Sequence, residues 1–259
     1  MPVTATPIKV TGLKGFVWKI DDEDELARLV ARIYVGHARH VENILRKLRP
    51  NVARPPVTVS AAKGAKKLLA ITKDHRDGLL FQAISWIVAQ RDAPADSVIK
   101  LPHLIPAHKG FDGLQIELSC KQELLSVVIF EDKATKNSRS TITAKVWPEF
   151  KRIEAGDREN ELMQEATALL ERTSGIDIDK VIEGIVWQKV RGYRVSITGE
   201  DEHGLPSGFK SLFDGYDKVA PGTDPKRRAA VLCFKDVRTW MDGFAKKVEK
   251  AIDKEKGSV

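Results

Sequence analysis

The sequence predicts an α/β protein. Segments rich in β-branched and apolar residues, above all Glu123 to Glu131, read as strands. Other segments repeat apolar residues at helical spacing, as Leu80, Ala83, Ile84, Ile87 and Val88 do. Both kinds recur along 259 residues, a length that allows one large domain or two small ones with ample core.

Three regions follow in order. In residues 1–73, one or two strands lie between 8 and 20, ending Gly15-Phe-Val-Trp-Lys-Ile. Asp21-Asp22-Glu-Asp-Glu opens a helix with acids at its positive end. Leu26, Leu29, Val30, Ile33, Val41, Ile44, Leu45 and Leu48 continue it, with a bend expected at Gly36. A connector from Arg49 to Pro56 leads to a short basic helix, Ser60 to Ala70. Residues 74–173 form the central region. It opens with an amphipathic helix from Asp74 to Arg91, with Asp74 or Asp77 as N-cap. Two strands come next, then a helix from Thr141 to about Glu154 that Pro148 can kink, then an acidic helix from Arg158 to Arg172. Residues 174–259 add strands Tyr193 to Thr198 and Ala229 to Phe234, with a short helix from Pro206 to Tyr216 between them. The last helix carries Val237, Trp240, Met241, Phe244, Val248 and Ile252 on one face.

Composition narrows the function classes. The chain is 42% hydrophobic and 31% charged, as ordinary soluble proteins are. Its net charge of +7 suits a polyanionic partner. No apolar run is long enough to span a bilayer, and the N-terminus lacks a secretory pattern, so a cytoplasmic location is expected. Cys120 and Cys233 have neither paired nor metal-ligand spacing and read as reduced thiols. No Walker A sequence exists, so ATP hydrolysis by this chain is not expected. His75-Arg76-Asp77 stands without the other kinase segments, and the His37/His40 pair lacks a third ligand.

The informative chemistry lies between Asp112 and Lys133. Asp112 begins one strand and Glu131-Asp132-Lys133 ends the next. With Lys121 and Gln122 as a two-residue hairpin loop, Asp112 faces Glu131 across the ladder. Side chains alternate along a strand, so Lys133 shares the face of Glu131 and Asp132 takes the other. Lys-Gln suits a primed turn poorly, and a longer loop or a bulge makes the carboxylates diagonal neighbours. Two carboxylates can hold Mg²⁺ together with waters, and a lysine beside them can orient or deprotonate an attacking water.

The order of elements resembles the PD-(D/E)xK, restriction-endonuclease-like, nuclease superfamily. A helix opens with Gly78-x-x-Phe81-Gln82, a strand starts at Asp112, and a strand ends Glu131-x-Lys133. The resemblance implies a restriction-endonuclease-like core, a mixed central sheet with flanking helices, over residues 74–173, flanked by extra N- and C-terminal α+β regions. It implies that Asp112 and Glu131 bind Mg²⁺ or Mn²⁺, that Lys133 assists the water, and that Gln82 supports the site. Two positions depart from the pattern: the central residue is the polar Asp132, and Gln82 carries no charge for a metal. Lys136, Arg139 and Lys145, directly after the motif, are candidate phosphate contacts. By analogy alone, small relatives act in restriction or anti-phage defence beside an ATPase or helicase partner. The expected activity is metal-dependent cleavage of DNA. Two alternatives stand beside it: a nuclease-like module that binds nucleic acid or protein without cutting, and an interaction protein whose Glu-x-Lys match is accidental.

Overall fold

Strands from all three sequence regions join one mixed sheet in the computed structural model, which describes residues 1–46, 56–105, 110–173, 175–187 and 190–256. The N-terminal region gives β1 (Val3–Ile8), β2 (Lys14–Ile20), α1 (Glu23–Tyr34), α2 (Ala38–Leu45) and α3 (Val59–Leu69). Then come α4 (Lys73–Asp92), β3 (Ser97–Ile99), β4 (Gly113–Leu118) and β5 (Leu124–Lys133). The stretch after β5 holds α5 (Ser138–Thr141), a π-helical turn (Ile142–Val146), α6 (Trp147–Glu154), α7 (Glu159–Leu170) and α8 (Ile178–Trp187). The chain closes with β6 (Arg191–Gly199), α9 (Pro206–Leu212), α10 (Tyr216–Val219), β7 (Arg227–Cys233) and α11 (Val237–Lys256).

Sheet order is β1-β2-β7-β6-β5-β4-β3. The middle strands β2, β7, β6 and β5 are mutually parallel, and antiparallel pairs β1–β2 and β3–β4–β5 finish the two sides. The parallel steps need long crossovers, supplied by α5 to α8 and by α9 to α10. The N-terminal strands reach the central hairpin only through β7 and β6 of the C-terminal region.

Two apolar clusters cover the two faces. On the first, α1, α4 and α11 pack over Trp18, Val128, Phe130 and Leu232. On the second, α6 to α10 pack over Val127, Ile129, Val195, Ile197 and Val231. β5 feeds both by alternation, so it is apolar at every position from Val127 to Phe130. The same alternation sends Glu131 and Lys133 to the second face and Asp132 to the first.

Several local expectations need correction. The helix opened by Asp22, whose carboxylate accepts from the Glu25 amide at 2.9 Å, stops before Gly36 instead of bending there. Gly36 has φ +90, the left-handed conformation that ends helices, and α2 restarts beyond it. The N-cap of α4 is Thr72, not Asp74 or Asp77. Asp77 is fully buried and accepts from Arg76 at 2.7 Å and Arg238 at 2.5 Å. Pro148 is absorbed at the start of α6 by the preceding π-helical turn, where a missing N–H does least harm. β1, β3 and α8 are not among the expected elements, and β1 (Val3–Ile8) lies before the 8–20 stretch in which the first strands are expected. β3 has three residues, too few for a period. α8 does carry Ile178, Val181, Ile182 and Ile185 at helical spacing, but its β-branched content reads equally as strand. Leu48 and the connector up to Pro55 lie outside the described residues. No helix among the described residues is long and apolar enough to cross a membrane.

Candidate active site

The β4–β5 hairpin sets the site, through two offsets that cancel. Its loop is three residues, Cys120 to Gln122, not two: the Ser119 amide donates to the Glu123 carbonyl at 2.8 Å and the Gln122 amide to the Ser119 carbonyl at 2.9 Å. Gln122 takes φ 62, the left-handed position such loops need, and Ser119 Oγ accepts from the amides of Lys121 and Glu123. This loop alone gives the pairing Leu118 with Leu124. A bulge between Glu117 and Leu118 then shifts the ladder by one residue, so that Glu117 pairs with Ser126 and Gly113 with Phe130. Asp112 stands one step beyond the last pair, opposite Glu131. Gly113 is required there, because a Cβ would meet the Phe130 ring at 2.5 Å.

Asp112, Glu131, Lys133 and Gln82 converge. Lys133 Nζ lies 2.7 Å from Asp112 Oδ2 and 2.6 Å from Glu131 Oε2. Gln82 Nε2 donates to Asp112 Oδ1 at 2.6 Å, and the Asp132 amide donates to Asp112 Oδ2 at 2.9 Å. Asp112 is therefore gripped from α4, from the β5 backbone and from Lys133. Burial, and then the Asp112 charge, push the Glu131 carboxyl up to about 7. Burial opposes the charge of Lys133, but the two carboxylates outweigh it and hold the lysine above its ordinary value. Lys133 is thus an ammonium in this arrangement.

The donor set suits a hard divalent cation. One ammonium already bridges two carboxylates, so the pair accepts a cation. Gln82 Oε1 is buried without a hydrogen-bond partner, leaving an acceptor for a water beside Asp112. Among the described residues no three His, Cys, Asp or Glu side chains group as a metal site, so a cation here would have only two carboxylates from the protein and would need water for the rest of its shell. Mg²⁺ and Mn²⁺ tolerate that division, whereas zinc sites use three or four nitrogen, sulfur or oxygen ligands.

The site opens into a cleft of about 510 Å³ lined by Gln82, Asp112, Lys133 and Lys145. Lys136 and Arg139 do not line it. Arg139 donates to the carbonyls of Leu212 and Asp214 at 2.9 and 2.8 Å, which ties α5 to the α9–α10 link. Lys136 is exposed and acts electrostatically on Asp236, before α11. The cleft instead gains His75, His103 and Arg238. Arg238 bridges Asp74 at 2.6 Å and Asp77 at 2.5 Å, fastening α11 to the first turns of α4. His103 Nε2 lies 2.9 Å from the Phe111 carbonyl and 3.0 Å from Lys100 Nζ. Nothing local in sequence marks His103 and Arg238, since only the fold brings α11 and the segment after β3 to Asp112, whereas His75 lies on α4 two turns before Gln82 and so shares its face.

Asp132 occupies different surroundings. Its Oδ1 accepts from Ser85 Oγ at 2.7 Å and lies 3.8 Å from the Arg194 guanidinium. Burial pushes its carboxyl up to about 6 against the pull of Arg194. Neither a protein-family model nor a curated protein matches this chain.

Proposed function

We propose that the protein is a Mg²⁺- or Mn²⁺-dependent nuclease that hydrolyses phosphodiester bonds of DNA, on a restriction-endonuclease-like core. One observation carries the reading: Asp112 and Glu131, at the open end of an antiparallel hairpin, share the Lys133 ammonium, while Gln82 of α4 holds Asp112 from the other side. That combination of helix, strand start and strand end was expected from the residue pattern, and chance proximity of the four groups accounts for it less well.

Asp112 and Glu131 would hold the metal, and Gln82 would fix the Asp112 rotamer. When bound, the metal supplies a more acidic water and screens the scissile phosphate. Lys133, being protonated, orients the attacking water and offsets charge building on the phosphoryl oxygens, instead of taking the proton itself. The water oxygen bonds to phosphorus as the bond to the leaving sugar oxygen breaks; one water proton passes to solvent, and a solvent water gives one to the leaving oxygen. Lys145, at the cleft wall, is placed for a neighbouring phosphate. No module for reading bases is recognisable, so target choice falls to a partner such as an ATPase or helicase, and a role in anti-phage defence fits this division of labour. Incubation of plasmid and single-stranded DNA with Mg²⁺, Mn²⁺ or EDTA tests the reading. Metal-dependent cleavage that EDTA stops is expected. Metal-independent binding with no cleavage under any of these conditions, with or without partner, favours the non-cutting module.

A further inference from the structure

A second cavity, of about 250 Å³, lies on the first sheet face under the C-terminal end of α4. Lys14, Phe16, Trp18, Arg194, Arg228 and Glu117 contribute to its wall. Two of these charges are already committed to each other. Arg228 makes a two-pronged ion pair with Glu117, at 2.6 and 2.9 Å, and Glu117 also accepts from Gln115 at 2.9 Å and from Ser126. Glu117 is thereby satisfied and holds Arg228 in place.

Arg194 differs. Its guanidinium lies 3.5 Å from the centre of the Phe130 ring and 6.0 Å from that of Trp18. The residue is only 9% exposed, and its Nε has no hydrogen-bond partner. A buried guanidinium whose donors are not all met is unfavourable, so an acceptor brought to its cavity side is worth more than one at the surface. Lys14 is exposed on the same wall, its ammonium 5.6 Å from the Phe16 ring centre. The cavity therefore offers Lys14, the Arg194 guanidinium, whose other side faces Asp132 at 3.8 Å, and two aromatic side chains, while its own carboxylates are held, Glu117 by Arg228 and Asp92 by Arg91 at 2.5 Å.

We propose that this cavity binds a small planar organic anion, its ring against Trp18 and Phe16 and its acidic group between the Arg194 guanidinium and Lys14. An apolar cavity of about 150 Å³ takes up benzene, so this larger one accommodates one ring with one acidic group. The site is wired to the cleft. Arg194 donates to Ser85 Oγ, Ser85 Oγ donates to Asp132 Oδ1 at 2.7 Å, and the Asp132 amide donates to Asp112 at 2.9 Å. An acceptor that draws on Arg194 changes the first of these links, so occupancy is felt at the Asp132 amide. Binding itself does not depend on the nuclease reading.

The test uses the full chain and four probes. Benzoate and phenyl phosphate carry ring and charge, benzyl alcohol the ring alone, and inorganic phosphate the charge alone. Calorimetry should give benzoate or phenyl phosphate a Kd of about 1 mM or tighter, and at least about tenfold tighter than the other two. Whichever of the pair binds more tightly names the acidic group. In ¹H–¹⁵N spectra the Arg194 Nε–H resonance should move downfield on binding, with the Asp132 amide following. Lys14→Gln, at an exposed position, should weaken binding about threefold or more without altering the fold. Equal binding of inorganic phosphate or benzyl alcohol would overturn the proposal. So would an Arg194 Nε–H resonance unmoved by saturating benzoate and phenyl phosphate, which would leave the cavity to solvent alone.

Discussion

Glu131 and Asp132 are adjacent carboxylates on one strand, and the sheet sends them into opposite surroundings. Glu131 enters a site that opens to solvent through Lys133, whose side chain is 26% exposed, and it shares that lysine with Asp112. Asp132 enters a network of Ser85, Ser196 and Arg194, with its side chain only 2% exposed, although the residue also borders the cleft. Burial raises both carboxyls, but Glu131 faces a second carboxylate and the half-buried Lys133, whereas Asp132 faces a hydroxyl and the buried Arg194. On the proposed reading, chemistry belongs to the first and scaffolding to the second. Substitutions on the two sides should separate activity from stability.

The largest effect is expected on the open side. Lys133→Ala should lower cleavage by about two to three orders of magnitude, the scale of losing one charge-stabilising donor, while folding and much of the DNA binding persist. Glu131→Ala should abolish cleavage through loss of metal. Glu131→Gln keeps an oxygen and should recover partly with Mn²⁺, whereas Lys133→Ala should not. Gel assays of purified variants decide this, and a Lys133→Ala protein that cuts at the parental rate removes Lys133 from the mechanism.

The next effect belongs to the Asp132 side. Arg194→Met should leave Asp132 without its counter-charge and cost about 3 kcal/mol, the range for breaking one partner of a buried pair. Ser85→Ala removes a hydroxyl bonded to Asp132 and should cost about 1 kcal/mol. Urea denaturation measures both. Wild-type stability in Arg194→Met would show that Asp132 does not need the guanidinium, and the contrast with Glu131 would collapse.

Much of this contrast was legible in the sequence, and the reason is periodicity. Strand alternation separates Glu131 and Lys133 from Asp132 without knowledge of the fold, and helical spacing places Gln82 on α4, although at the middle of that helix and not in its opening turns. The hairpin register was legible only in outcome. A two-residue loop predicts Asp112 opposite Glu131, and the protein reaches that pairing with a three-residue loop and a compensating bulge. Contacts between distant segments left no signal. Arg238 reaches α4 from α11, Arg194 reaches Asp132 from β6, and Arg139 turns to the α9–α10 link instead of the cleft.

A smaller effect follows from pH in the metal-free protein. Glu131 rises from 4.5 to about 7 and Asp132 from 3.8 to about 6. Both folded values exceed the unfolded ones, so the folded state binds more protons between about pH 4 and 7. The stability contributed by these protons is complete below about pH 4 and is lost as pH rises through 6 and 7. Glu131 feels Asp112, Lys133 and Glu149, and Asp132 feels Arg194 and Asp112. Asp132→Asn should flatten the decline by up to about 3 kcal/mol between pH 4 and 7, in proportion to a shift of two units. Thermal or urea melts of both proteins across that range measure the difference, and parallel curves would mean that Asp132 titrates normally.

The smallest effect separates two cations that the sequence groups together. Lys145 lines the cleft, whereas Arg139 is held by two backbone carbonyls away from it. A lysine on a phosphate releases about one counterion, so Lys145→Ala should weaken DNA binding several-fold at low salt and reduce the salt slope by about 1. The difference from the parent should shrink as salt rises. Arg139→Ala should leave the slope unchanged and instead cost about 1 kcal/mol of stability through its lost hydrogen bonds. Binding should be followed by fluorescence anisotropy over a salt series, with EDTA present so that cleavage does not interfere. An Arg139→Ala protein with the reduced slope, beside a Lys145→Ala protein without it, would place the DNA against the α9–α10 link and away from the cleft that Asp112 and Lys133 share.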